Sequence, residues 1–333
     1  MKGILHIGMP KCMSTSVQAH MRQSDSVFFM GIGPSKFVKP DVLLAFQRHI
    51  MRMPAHFYDA DAIANVFRQN IQEAEGRGAA LFALSDETIP FPRGYARADT
   101  SYLERMQRLK AVMPKETDVL MIVRRPKDFL QSSYKYRCVM NGLSCTYEDY
   151  LRRLLLVGDT NFLGTIKYAY FAETARQIFG RVHVVAMEAI AEDERALLRL
   201  LNDPNLAAPV RDRLPRENSG MPNNKFANFR ELHAPYGETL GDDDFNNLSP
   251  ADRLMTHLDQ DYFSGCLTSS LAREQTLKGL RTFAIGMPDR SPDACFAMSD
   301  ETRKKLVDYV EYSNTMLKKI YDVPVERYEY NRF

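Results

Sequence analysis

Lys11 stands between a tight turn and a run of hydroxyls, Ser14, Thr15 and Ser16, and that combination can hold an anion. The first N–H groups of a helix have no intrahelical partners, the helix dipole is positive there, and an ammonium adds a full charge, so a phosphate or sulfate is favoured at this point. Gly8 and Pro10 punctuate the turn, and the apolar run of Ile4, Leu5 and Ile7 before it reads as a buried strand. The turn lacks the spacing of a Walker A loop, with only Gly8 three residues before Lys11. Taken alone, the segment reads equally well as an anion cradle or as an ordinary strand-to-helix turn in which Ser14 or Thr15 caps the helix.

A second segment carries a guanidinium and a hydroxyl. Val119 to Val123 is a continuous apolar run rich in β-branched residues, as a central parallel strand requires, and Arg124, Arg125 and Pro126 end it and open a helix. Arg124 therefore belongs at a strand's C-terminal edge, and Ser132, eight residues on, lies two helical turns in. A guanidinium fork and a hydroxyl suit a terminal phosphate. A further strand, expected over 79–84, ends in Ser85, Asp86 and Glu87, and such strand ends line the ligand crevice of a parallel sheet. Glu87 is the first candidate for a general base and His56 the second. The other reading of the carboxylates is capping or ion pairing, and that of His49 and His56 is a surface position. Cys12 reads as a small loop-filling residue, because a cysteine nucleophile needs a nearby base and neither segment supplies a histidine.

With both segments in view, the chain resembles the P-loop sulfotransferases that use 3′-phosphoadenosine 5′-phosphosulfate (PAPS) as sulfuryl donor. Their first motif is similar to Gly8-Met9-Pro10-Lys11-Cys12-Met13-Ser14-Thr15-Ser16, and their second to Arg124-Arg125-Pro126-Lys127-Asp128 with Ser132 and Tyr134. The resemblance implies that Pro10, Lys11, Cys12, Met13, Ser14, Thr15 and Ser16 cradle the 5′-phosphosulfate and that Arg124 and Ser132 hold the 3′-phosphate. It implies a loop over the 3′-phosphate and adenine at Leu214 to Gly220, to which Asn218 and Ser219 are carried over, and it matches a family Ser-x-Glu to Ser85–Glu87. The chain departs from the family at Met13, where Gly is usual, so the backbone of the turn or its closeness to the ligand is expected to differ.

The implied reaction is sulfuryl transfer to a hydroxyl, most naturally on a carbohydrate, leaving 3′-phosphoadenosine 5′-phosphate, with Lys11 in place of a metal ion. Two other readings stay open. A nucleotide-dependent phosphotransferase is disfavoured by the missing Walker A spacing and by having Asp86 alone as an acidic strand end for Mg²⁺. A catalytically silent nucleotide-binding protein is kept open by Met13.

The elements that must position these residues alternate strand and helix through residue 201, which predicts an α/β fold. The expected architecture is a three-layer, P-loop-like parallel sheet of about four to five strands flanked by helices, followed by a mostly helical C-terminal third. Strands are expected near 4–7, 27–30, 79–84, 119–123 and 181–187, with helices over 42–51, 61–75, 100–113, 147–157, 165–179, 193–201, 253–262 and 271–283. A final helix over 299–321 is capped by Ser299 and carries the apolar stripe Leu306, Tyr309, Val310, Met316, Leu317 and Ile320. We expect one sulfotransferase domain over 1–333, with an α/β core carrying the donor site over 1–201 and a helical, loop-rich extension over 202–333. The acidic run Asp242 to Asp244 reads as a solvated loop rather than a metal site.

Forty-four basic against forty-two acidic residues leave a formal charge of +2, so overall charge gives no reason to expect a nucleic-acid surface. Five cysteines, an odd number with no CxxC pair, point to reduced thiols. The apolar stretch after Met1 and Lys2 is too short for a signal peptide or membrane span, and Golgi members of the sulfotransferase family carry an N-terminal anchor, so the expected location is the cytoplasm, without membrane insertion.

Overall fold

The structure is a computed structural model, and it describes residues 1–9, 11–31, 40–90, 100–141, 143, 145–157, 162–194, 197, 221–240, 271–288 and 291–333. From the N-terminus the described elements are β1 (Lys2–Gly8), α1 (Ser14–Gln23), β2 (Val27–Gly31), α2 (Pro40–Leu44), α3 (Ala60–Gly76), β3 (Leu81–Asp86), α4 (Tyr102–Val112) and β4 (Thr117–Val123). They continue with α5 (Pro126–Asn141), α6 (Tyr147–Val157), α7 (Tyr168–Phe179), β5 (Val182–Ala186), α8 (Met187–Glu192), α9 (Asn223–Leu240), α10 (Leu271–Gly286) and α11 (Asp300–Tyr321). The chain divides into two compact units, one made of Met1–Arg125, Lys167–Asn218 and Ser313–Tyr330, the other of Pro126–Ile166, Ser219–Tyr312 and Asn331–Phe333.

The first unit is built on a five-stranded parallel sheet of order β2-β3-β1-β4-β5, flanked by helices. The three inner strands are buried almost throughout, which accounts for their continuous apolar runs, whereas β5 at the edge is half-buried. β1 pairs with β3 on one side, Ile7 opposite Asp86, and with β4 on the other, Gly8 opposite Ile122. That register brings the ends of β1, β3 and β4 side by side. The chain visits β2 and β3 on one flank of β1 before crossing to β4 on the other, so these ends form the switch point where open α/β sheets place ligands.

The sheet agrees with the sequence-based expectation, but β3 runs from Leu81 through Asp86 rather than over 79–84, because its pairing with β1 persists to the last residue before Gly8. The helix expected over 42–51 is α2 followed by a π-helix, Ala45–Ile50. β5 leads straight into α8, before the helix expected over 193–201. Only residues 193, 194 and 197 of that expected helix are described, and the helix expected over 253–262 lies outside the described residues.

The second unit is helical and has an aromatic core. Tyr134 on α5 packs against Tyr147 (5.1 Å between centroids), Tyr150 (5.4 Å) and Phe226 (5.9 Å), and the Arg230 guanidinium lies 5.6 Å over its ring. Its hydroxyl donates to the Cys145 carbonyl at 2.7 Å. The N-terminus of α11 is tied down by Glu148 of α6, whose carboxylate accepts from the Ser299 N–H (3.0 Å), the Ser299 hydroxyl (2.9 Å) and the Thr302 hydroxyl (2.7 Å). Among the described residues no helix is long and apolar enough to cross a membrane.

Candidate active site

The turn after β1 has left-handed backbone at two non-glycine residues, Lys11 (φ 64°) and Met13 (φ 59°, ψ 15°), on either side of Cys12. Successive N–H groups in such alternating turns converge into an anion-binding concavity. The Cys12 N–H closes the turn on the Met9 carbonyl at 3.2 Å, and the buried Ser14 hydroxyl donates to the same carbonyl at 3.2 Å. Met13 is the N-cap of α1 and makes no side-chain cap hydrogen bond. Met13 thus adopts the left-handed backbone conformation that a glycine takes up most readily.

Gly8 is required by close approach. A Cβ at this position would lie 2.6 Å from Ser14 Oγ and 3.2 Å from the Glu87 Cα, so the end of β1 packs against the start of α1 and the segment after β3 with no room for a side chain. Glu87 is half-buried beside it. Asp86, the last residue of β3, is engaged locally: its Oδ1 accepts the Thr88 N–H at 2.5 Å and also the Thr88 hydroxyl, which fits the capping reading of that carboxylate. The 87–90 turn is anchored from α4 by Arg105, buried and donating to the carbonyls of Ile89 (2.9 Å), Pro90 (3.1 Å) and Thr100 (2.5 Å). Nothing in the sequence marks Arg105 for this task, since an arginine inside an amphipathic helix reads as solvent-facing.

Arg124 leaves the end of β4 and reaches across the sheet edge to the turn after β1, its Nη1 donating to the Lys11 carbonyl at 3.1 Å over a separation of 113 residues. Its Nε is buried and without a hydrogen-bond partner among the described residues. A buried cationic donor of this kind demands an acceptor, and a phosphate or sulfate oxygen would supply one. The two motifs therefore meet in space. The fork is held from behind, because the Tyr168 hydroxyl donates to the Arg124 carbonyl at 2.9 Å and the Arg125 N–H donates to Glu188 Oε1 at 2.9 Å.

Cys12 is fully buried in this turn, and burial pushes its thiol far above the ordinary range, with Arg124 opposing and Glu188 and Glu87 reinforcing the effect. The thiol stays protonated, which fits a loop-filling residue and not a nucleophile. Beneath the turn, His6 on β1 pairs its Nδ1 with Ser85 Oγ at 2.7 Å, and Gln18 Nε2 donates to the same oxygen at 3.1 Å. Burial lowers the imidazole to about 4, so His6 is neutral at neutral pH.

The remaining candidates are placed as follows. Thr15 and Ser16 lie in the first turn of α1, half-buried and buried respectively. Ser132 is half-buried on α5 in the second unit. His56 is exposed in a 3-10 turn, Ala55–Phe57, with its ring 4.1 Å from that of Phe57, and no contact of the described residues ties it to the turn after β1. Pro10, Asn218 and Ser219 lie outside the described residues.

Among solved structures, a sulfotransferase from Alicyclobacillus acidocaldarius is similar in chain path, the match covering 99% of this chain and 99% of that chain with a TM-score of 0.48 and 13% sequence identity. No protein-family model matches the chain, and no curated protein matches it in sequence.

Proposed function

We propose that this chain is a PAPS-dependent sulfotransferase that sulfates a hydroxyl, most naturally on a carbohydrate. The observation that carries the reading is the meeting of the two motifs: Arg124 lies on the carbonyl of Lys11 while its buried Nε lacks a partner among the described residues. The N–H groups of Ser14, Thr15 and Ser16 and the Lys11 ammonium hold the 5′ end of the donor, and Arg124 holds its 3′-phosphate. Ser132, Asn218 and Ser219 are assigned to the 3′ end by their places in the motifs.

PAPS supplies an activated sulfuryl group, and the reaction breaks its bond to the phosphate oxygen while the acceptor oxygen bonds to sulfur. Lys11 offsets the charge that collects on the departing phosphate oxygen, which is why no metal is needed on this reading. Glu87, on the turn against Gly8, takes the acceptor proton, so that sulfated product, bisphosphate and one proton balance the step. Within the stretch from Arg48 to Tyr58, Arg48, His56 and Phe57 are exposed, Phe57 at 67%, and these form the surface we assign to a sugar.

Calorimetry with 3′-phosphoadenosine 5′-phosphate, ADP and ATP tests the donor. A clear preference for the 3′-phosphorylated ligand is expected, and equal or tighter ATP binding would overturn the reading in favour of a phosphotransferase. Labelled PAPS offered with glycans, lipids and small alcohols then tests transfer. The variant Lys11→Ala is expected to fold and to lose transfer by several orders of magnitude; retained activity would remove Lys11 from its assigned role.

A further inference from the structure

Arg124 has an acidic neighbour that ought to disable it. Glu188, the second residue of α8, accepts the backbone N–H of Arg125, so its carboxylate lies next to the residue proposed to hold the donor's 3′-phosphate. Guanidinium and carboxylate pair readily, and an internal pair at this place would compete with any phosphate for the same fork. The pairing is not made. Glu188 Oε1 is occupied by the Arg125 N–H at 2.9 Å, and Oε2 accepts from the Tyr330 hydroxyl at 3.0 Å. The Arg125 side chain turns elsewhere, its Nη1 lying 3.5 Å from Glu329 Oε2.

Tyr330 is built to hold that bond. It is fully buried, its N–H donates to the Val325 carbonyl at 2.8 Å, and its own carbonyl accepts from Asn314 Nδ2 at 3.2 Å. The same segment is clasped to the end of α8 by Tyr328 and Arg327, which donate to Glu192 Oε2 at 2.9 and 2.7 Å. Burial keeps the Tyr330 hydroxyl un-ionised, so it stays a donor at every working pH.

We infer that Tyr330, acting through Glu188, is a positioning residue of the donor site, holding the Glu188 carboxylate away from Arg124 so that the guanidinium remains open to the 3′-phosphate. The inference rests on the donor reading proposed above. It assigns to the 323–330 segment a part in nucleotide selectivity.

The test uses the full chain carrying Tyr330→Phe, which keeps the ring and removes the hydroxyl, in calorimetry with 3′-phosphoadenosine 5′-phosphate and with adenosine 5′-phosphate. The bisphosphate is expected to bind about tenfold more weakly, the scale of one hydrogen bond to a charged group, while adenosine 5′-phosphate binds as before. In transfer, the donor KM rises with little change in kcat. Adding Glu188→Gln is expected to restore bisphosphate affinity, because a neutral amide does not compete for the guanidinium; in an Arg124→Ala background Tyr330→Phe is expected to change nothing further. An unchanged bisphosphate affinity in Tyr330→Phe, equal weakening of both nucleotides, or failure of Glu188→Gln to rescue would each overturn the inference while leaving the donor reading intact. A wild-type protein with no preference for the 3′-phosphate overturns the donor reading itself, and the inference with it.

Discussion

Met13 is the residue at which the turn after β1 departs from the motif it resembles, and its backbone conformation carries a cost. A left-handed conformation in a residue with a Cβ costs about 1–2 kcal/mol, whereas glycine adopts it without penalty but loses more entropy on folding, about 0.4–1 kcal/mol. Met13→Gly is therefore expected to raise stability by no more than about 1 kcal/mol in urea unfolding and to keep nucleotide binding. A clear loss of stability would mean that the thioether contributes packing that outweighs the strain. Gly8→Ala is the opposite case: the added methyl would press on Ser14 Oγ and on the Glu87 backbone, so transfer activity is expected to fall at least tenfold with the turn displaced. Arg124 and Glu87 could be singled out in the sequence because each follows directly on an apolar strand, and Lys11 because it stands in the short turn after one, where residue type and position together suggest a ligand-facing edge. Arg105, Tyr168, Glu188 and Tyr330 were not, since they act on backbone groups or on one another across long separations, and a tyrosine or arginine in a helix carries no sign of the carbonyl it will meet.

At the scale of elements, the inner strands were readable because strands buried on both faces must be apolar throughout, and their register then followed from pairing that no single sequence segment contains. The π-helix at Ala45–Ile50 was not readable, as an inserted residue leaves the helical periodicity almost unchanged. The cap of α11 shows a local signal completed by a distant partner. Ser299 accepts the Thr302 N–H at 3.2 Å as its sequence position predicts, but Glu148, 151 residues earlier, binds the Ser299 N–H and both hydroxyls. Burial alone would raise the Glu148 carboxyl, yet hydrogen bonds from Thr302, Ser299 and Arg152 outweigh it and hold the group down at about 2. A depressed carboxyl stabilises the fold fully above its ordinary value of 4.5 and loses that contribution as pH falls toward 2. Glu148→Ala is expected to cost about 1–2 kcal/mol and Ser299→Ala about 1 kcal/mol in thermal or urea unfolding at neutral pH, with the double variant less destabilised than the sum because the two share bonds. Strict additivity would show that the cap and the carboxylate act independently.

The first unit as a whole places a neutral, buried imidazole in the middle strand of its sheet, directly under the site, and this sets how it responds to acid. His6 is inaccessible to solvent and pairs with Ser85 on β3, and burial carries its ring from 6.5 down to about 4. In the unfolded chain the same ring takes up a proton near its ordinary value, so between about 6.5 and 4 the unfolded state binds more protons than the folded one and stability rises with pH across that window. The contribution is complete above the window and falls by ~3 kcal/mol at its lower end, at about 1.36 kcal/mol per unit. Between pH 7 and pH 5 the expected loss from this residue is about 2 kcal/mol. Because β1 joins β3 to β4, the loss falls on the strand ends that carry Lys11, Glu87 and Arg124, and nucleotide binding should weaken in parallel with unfolding once the folded fraction drops. Urea titrations at both pH values, on the wild-type chain and on His6→Gln, isolate the effect: the variant starts less stable at pH 7 but loses about 2 kcal/mol less than the wild type on going to pH 5. Equal losses in the two proteins would assign the acid sensitivity to other groups and remove His6 from this role.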